Sequence, residues 1–265
     1  MNKRYKIITL YILLILFLRV GYVILFNNQL NLVNAYTLSS LTTINSNNIN
    51  SKNTNKNKVI VIDPGHACKT LLEKEPIAPN SKIMKPKNVI GAVGIVTKTP
   101  EYVINLKVSL KLKKYLTDAG YKVIMTRTTN SKVISNIERA EIGNKNNADL
   151  VIRIHADSSN DKSMKGASML VPGDVGYAKK ISNISRKYGE ILLNRVIKEV
   201  GMENRGVITR EDLTGFNWSK VPVVLIEMGY LSNPSEDRLL SSEKYQDKIA
   251  RALFKGVEEI FKNKN

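Results

Sequence analysis

Short, uninterrupted runs of β-branched and aliphatic residues alternate with longer segments of helical period, and this alternation limits the fold more than any other feature of the sequence. Residues 58–62, from Lys58 to Ile62, form the first run, the pattern of a strand buried on both faces. Thr99 as N-cap, Pro100 at the first helical position and Glu101 in the first turn then predict a helix carrying Val103, Leu106, Leu110 and Tyr115, closed by Gly120. Further strands are expected over 122–126, 150–154, 167–171 and 221–226, with helices over 134–147, 178–200 and 246–262. The order predicts an α/β fold: a twisted, mostly parallel sheet flanked by helices on both faces, in a single domain over 58–265.

The first 57 residues do not share the pattern. Lys3, Arg4 and Lys6 precede an apolar stretch over 7–26 that is interrupted by one charge, Arg19. Its length suits a membrane anchor with a cytoplasmic N-terminus. Arg19 and the small residue Ala35 suit instead a signal peptide with its apolar region over 7–18, and the sequence leaves both readings of the 1–26 leader open. Either one places the body outside the cytoplasm. Residues 27–57 are dominated by Asn, Ser and Thr and read as a disordered linker, because they lack the apolar content to order themselves.

Forty-one Lys and Arg against 23 Asp and Glu leave a net charge of +18, a field that favours anionic partners. Nucleic acid is not the partner expected, since the chain carries an export leader and no recognition motif. One cysteine excludes an intramolecular disulfide framework, and two histidines exclude any metal site with three histidine ligands.

In an open parallel sheet, ligands gather outside the carboxyl ends of the strands. His66, His155 and Glu227 fall at or just after the ends of three expected strands, and Glu101 opens a helix after a long loop from the first. If those strands are neighbours, the side chains converge. Two imidazoles and a carboxylate form a complete protein ligand set for catalytic zinc, with the fourth position left to water. Such an ion supplies hydroxide near neutral pH and polarises a carbonyl, and a second carboxylate then handles the proton. Glu101 is the candidate ligand, and Glu227, desolvated by the apolar run before it, is the candidate general base and acid. Spacing alone leaves Glu73 and Glu75 open as rival ligands, and Cys68 open as a nucleophile or thiolate ligand. It also allows Glu227 a structural ion pair, for instance with Arg210, and Glu101 a first-turn position that complements the helix dipole.

Several motifs occur in a fixed order. Val61, Ile62, Asp63, Pro64, Gly65 and His66 come first, then Gly91, Ala92, Val93 and Gly94 leading to Glu101, Asn105 and Leu106. Thr126 and Arg127, then Glu138, Arg139, Ala140 and Asn144, precede Ile154, His155, Ala156 and Asp157. Val221 and Pro222 run on to Ile226, Glu227, Met228, Gly229, Tyr230, Leu231, Ser232, Asn233 and Pro234. From about Val59 to Phe261 this ordered set resembles the zinc-dependent N-acetylmuramoyl-L-alanine amidases of bacteria, the group that includes sporulation and cell-separation enzymes.

The resemblance implies zinc held by His66, Glu101 and His155, with Glu227 as the catalytic carboxylate. It favours Glu101 over Glu73 and Glu75, because Glu101 alone follows the Gly91–Gly94 stretch and precedes Asn105 and Leu106. It implies peptidoglycan as substrate, cut at the amide between N-acetylmuramic acid and L-alanine, with anionic wall polymers and, through the leader, the membrane as further partners. A catalytically inactive peptidoglycan-binding module on the same fold is the alternative. The sequence departs from the family pattern where Ala67 and Cys68 replace the glycine pair after His66, and in a longer Lys- and Pro-rich insertion between Cys68 and Val89. The Thr214–Trp218 segment reads equally as cleft lining and as packing.

Overall fold

The computed structural model describes residues 57–262. The expected leader over 1–26 and the linker over 27–57, Asn57 apart, lie outside the described residues. Among the described residues no helix is long and apolar enough to cross a membrane.

The chain opens with β1 (Val59–Pro64), a hairpin of β2 (Leu71–Pro76) and β3 (Met84–Asn88), and α1 (Glu101–Asp118). Then follow β4 (Lys122–Met125), α2 (Asn136–Lys145), β5 (Leu150–Asp157), β6 (Ala167–Pro172) and α3 (Ser182–Val200). The rest is β7 (Asn204–Arg210), α4 (Thr214–Asn217), β8 (Val223–Tyr230), α5 (Pro234–Leu240) and α6 (Glu243–Lys262). Six strands form one sheet in the order β4-β1-β5-β8-β6-β7. Every pairing is parallel except β6 with β8, so the expected mostly parallel α/β architecture is the one observed.

The apolar runs read as doubly buried strands because both faces of the sheet are covered. On one face Ile60, Ile62, Ile152, Ile154, Val224 and Ile226 pack with Leu112 of α1, Leu192 of α3 and Leu253 of α6. On the other, Val61, Val151, Val223 and Leu225 pack with Phe216 of α4 and Ala178. Neighbouring residues along each strand therefore feed two different cores, as the two-residue period of a strand demands.

Several boundaries differ from expectation. Pro100, not Thr99, is the N-cap of α1, because Pro100 stays extended and bridges Val93. Helix α2 starts two residues later than expected, at a capping box in which Ser135 accepts from the Glu138 N–H and the Glu138 carboxylate accepts from the Ser135 N–H. The helix expected over 178–200 is a short 3-10 turn at Gly176–Lys180 followed by α3. The strand expected to stop at Ile226 continues to Tyr230, since its pairing with β5 carries on through an irregularity to Asp157 and Tyr230. Glu227 thus lies inside β8 rather than after it. The Lys- and Pro-rich insertion is the antiparallel β2–β3 hairpin, and β7 is an exposed edge strand with no apolar run to announce it.

Candidate metal centre

Adjacency of β1, β5 and β8 is what brings the site together. His66 follows β1 by two residues, and His155 of β5 sits directly opposite Glu227 of β8 in the parallel ladder, on the same face of the sheet. Glu101 comes in from the first position of α1.

Glu101 is the hub. Its Oε2 lies 3.2 Å from His66 Nε2, and its Oε1 lies 3.2 Å from His155 Nδ1. One donor atom from each of the three residues falls within 4.8 Å of the others. The carboxylate is fixed by the Ala92 N–H at 2.9 Å, Asn105 Nδ2 at 3.0 Å and the Ala156 N–H at 3.2 Å. Burial alone would raise the Glu101 carboxyl, but hydrogen bonds and charge from His155 and His66 outweigh it and hold the group well below the usual carboxylate range.

The donor set fits a divalent ion. Tetrahedral zinc with bonds of about 2.0–2.1 Å places its ligand atoms roughly 3.3 Å apart, close to the two separations made by Glu101. His66 Nδ1 is 2.7 Å from the Val89 carbonyl, which only accepts, so that nitrogen carries the proton and Nε2 presents its lone pair to the centre when the ring is neutral. Burial pushes His155 down to about 4, so its ring is neutral at pH 7, the form a metal needs. Among the described residues, the buried His155 Nε2 has no hydrogen-bond partner.

Two glycines make room for this packing. At Gly65 a Cβ would overlap the His155 ring. At Gly91, where φ is +88°, it would run into Glu101 Oε2 and the His66 ring.

Glu227 is half-buried, but its Oε2 is fully enclosed and has no hydrogen-bond partner among the described residues. Burial first, then the Glu101 and Asp157 carboxylates, raise its pKa well above the ordinary value. The structural ion pair allowed by the sequence is absent: Arg210 Nε bonds Asp212 at 2.8 Å instead.

The rival ligands are elsewhere. Glu73 is exposed and pairs with Lys87 at 3.0 Å. Glu75 is buried rather than part of a solvated insertion, and its carboxylate accepts from the Asn136 N–H at the start of α2 at 2.9 Å. Cys68 is an exposed free thiol. Trp218 donates its indole N–H to the Pro76 carbonyl at 3.0 Å, and Thr214, Gly215, Phe216 and Asn217 are buried, so this segment packs against the hairpin and the sheet.

Sequence reasoning missed what lies beneath the centre. Asp63 is buried and accepts from Thr126 Oγ1 at 2.6 Å, Arg139 Nη1 at 2.7 Å and Arg153 Nε at 2.8 Å. Thr126 and Arg139 were present as motif residues without a role, while Arg153 lies in an apolar strand where period gave no hint of a buried charge.

Comparison with known proteins gives the family. The germination-specific N-acetylmuramoyl-L-alanine amidase of Bacillus subtilis is 29% identical over 223 residues, covering 78% of this chain and 81% of that protein. Among solved structures, the CwlD amidase of Clostridioides difficile in complex with the GerS lipoprotein is 27% identical, with a TM-score of 0.64 over 78% of this chain and 99% of that one. The Ami1 amidase of Mycobacterium smegmatis shares the fold at a TM-score of 0.72 and 21% identity, over 79% of this chain and all of the other. A family profile described as N-acetylmuramoyl-L-alanine amidase matches residues 60–259, a range that takes in His66, Glu101, His155 and Glu227 together with nearly the whole sheet; the chain belongs to that family.

Proposed function

We propose that this chain hydrolyses the amide between N-acetylmuramic acid and L-alanine in peptidoglycan, using zinc held by His66, Glu101 and His155 and proton transfer by Glu227. The observation that carries the reading is the Glu101 carboxylate placed 3.2 Å from a nitrogen of each histidine, beside a second, unpartnered carboxylate at Glu227. Bound there, zinc supplies an acidified water and a Lewis acid for the carbonyl. The protein does the rest. The Val89 carbonyl holds the His66 tautomer, and Ala92, Asn105 and Ala156 hold Glu101 still. Glu227 accepts a proton from the attacking water and returns it to the leaving amine of L-alanine. Its raised pKa suits both halves of that task, because a group titrating nearer neutrality is both a usable base and a usable acid.

The setting proposed is the cell wall outside the cytoplasm, reached through the leader as an anchor or a cleaved signal. The +18 charge supports contact with anionic wall polymers. The test is digestion of purified sacculi by the full-length chain. New muramyl and L-alanyl ends are expected, lost on chelation and restored by zinc. Glu227→Gln is expected to keep stoichiometric zinc while kcat falls by about 100-fold or more, in line with loss of a general base. An active Glu227→Gln enzyme overturns the proton-transfer role. Other product ends overturn the substrate.

A further inference from the structure

His66 adopts a left-handed backbone conformation, φ +59°, that is unfavourable for a side-chain-bearing residue and persists only where the surroundings enforce it. The enforcement comes from two arginines. Arg139, on α2, donates from Nη1 to the Pro64 carbonyl at 2.8 Å and from Nη2 to the His66 carbonyl at 3.0 Å. Arg127, after β4, donates from Nε to the Pro64 carbonyl at 3.1 Å and from Nη2 to the Gly65 carbonyl at 2.8 Å. Three consecutive carbonyls leading into a proposed metal ligand therefore rest on guanidinium groups. Both side chains are buried, Arg127 at 0% exposure and Arg139 at 2%, so water does not compete for these bonds.

Arg127 does one thing more. The same Nη2 that reaches Gly65 also donates to the Tyr102 carbonyl in the first turn of α1, at 2.8 Å. Tyr102 is the neighbour of Glu101. One rigid, planar fork thus spans the two backbone segments that carry His66 and Glu101, and its outer Nη1 is held by Asn130 Oδ1 at 3.2 Å and the Thr129 carbonyl at 3.3 Å.

We propose that Arg127 and Arg139 are positioning residues for the metal centre: they set the His66 loop, and Arg127 sets its spacing from Glu101, before a metal arrives. The inference rests on the zinc reading above. Neither arginine belongs to the group that could hold the ion, and a guanidinium has no lone pair to offer a metal, so both would act through His66 and Glu101. A lysine in either place keeps the buried positive charge near Asp63 but has no fork, so it separates charge balance from geometry.

The test uses the full-length chain and zinc itself. Zinc affinity is measured by competition with a chromogenic chelator, well below the melting temperature of each metal-free protein, and the visible spectrum of the cobalt-substituted protein reports ligand geometry. Arg127→Lys and Arg139→Lys are expected to bind zinc 10- to 100-fold more weakly, the range for residues that orient metal ligands, and to shift the cobalt bands. Arg195→Lys, at the distant pair with Glu259, is expected to change neither. Should Arg127→Lys not fold, Asn130→Ala, which removes one of the two acceptors that hold the outer Nη1 of the guanidinium, is expected to weaken zinc by a few-fold. Folded Arg127→Lys and Arg139→Lys proteins, or a folded Asn130→Ala, with wild-type affinity and cobalt spectrum would overturn the inference and leave the arginines as stabilisers only. Wild-type protein that holds no zinc would instead overturn the metal reading, and this inference with it.

Discussion

Asp63 is buried on β1 and Glu227 half-buried on β8, with only β5 between them in the sheet, and their environments push the two carboxyls in opposite directions. For Asp63 burial alone would raise the pKa, but Arg139 and Arg153 and the hydrogen bonds from Thr126 and Arg139 hold it below the ordinary carboxylate range. A depressed folded-state pKa contributes stability that is present above the unfolded value of about 3.9 and is lost as pH falls through the folded one. Asp63→Asn leaves two buried arginines short of their counter-charge, so it is expected to cost about 3–5 kcal/mol at pH 7. Denaturant titrations at pH 7 and pH 3 check this, and the gap between variant and wild type is expected to narrow at the lower pH. Glu227 carries the reverse sign. Its raised pKa makes wild-type stability fall as pH rises from about 4.3 toward the folded value, a loss that Glu227→Gln in the metal-free protein is expected not to show. At this scale the chemistry at strand ends was legible, because a buried run fixes where the next polar residue emerges. The arginines were not, since residue period does not say which buried charges meet.

Legibility changes at the scale of elements for a physical reason: burial on both faces writes a continuous apolar run, whereas one-sided or edge burial writes almost nothing. β1, β5 and β8 were therefore readable, and β2, β3 and β7 were not. The burial of β7 mixes exposed and half-buried residues along Asn204–Arg210, with Ile208 open to solvent. Helix ends were readable where a cap needs a particular residue. Gly201 ends α3 at φ +76° with nothing within 4 Å of where a Cβ would stand. Gly201→Ala is accordingly expected to lower stability by about 1 kcal/mol through backbone strain alone, measured by denaturant midpoint, with zinc affinity untouched. Gly91 also has a positive φ, but there the missing Cβ faces Glu101 and His66. Gly91→Ala is expected to abolish stoichiometric zinc binding, which metal analysis of the purified protein reads directly. The two substitutions are chemically identical, and only the surroundings separate a stability effect from a loss of the site.

Across the whole domain, strand direction separates chemistry from charge. The proposed metal centre lies at the carboxyl ends of β1, β5 and β8. Lys220 lies just before β8 starts, and Tyr177, Lys179 and Lys180 follow β6, which runs antiparallel to β8, so these four gather toward the opposite end of the sheet. They and Gly176 line a cavity of about 370 Å³ without a carboxylate among them. Lys220 Nζ sits 4.5 Å above the Tyr177 ring, whose edge meets Trp218 with ring centroids 6.0 Å apart. On the function proposed above, an anionic wall polymer held at this cationic surface would leave the scissile amide free. Reversing Lys179, Lys180 and Lys220 to Glu lowers the net charge from +18 to 18 − 6 = +12. Screening shortens the reach of such charges to about 10 Å at 0.1 M salt, so retention of the wild-type chain on sacculi is expected to fall as salt rises. The triple variant is expected to elute at lower salt while cutting a soluble muramyl peptide at the wild-type rate. Equal elution of the two proteins would place the polymer contact on another part of the basic surface, and a loss of turnover on the soluble substrate would mean that charge and chemistry are not separate in this fold.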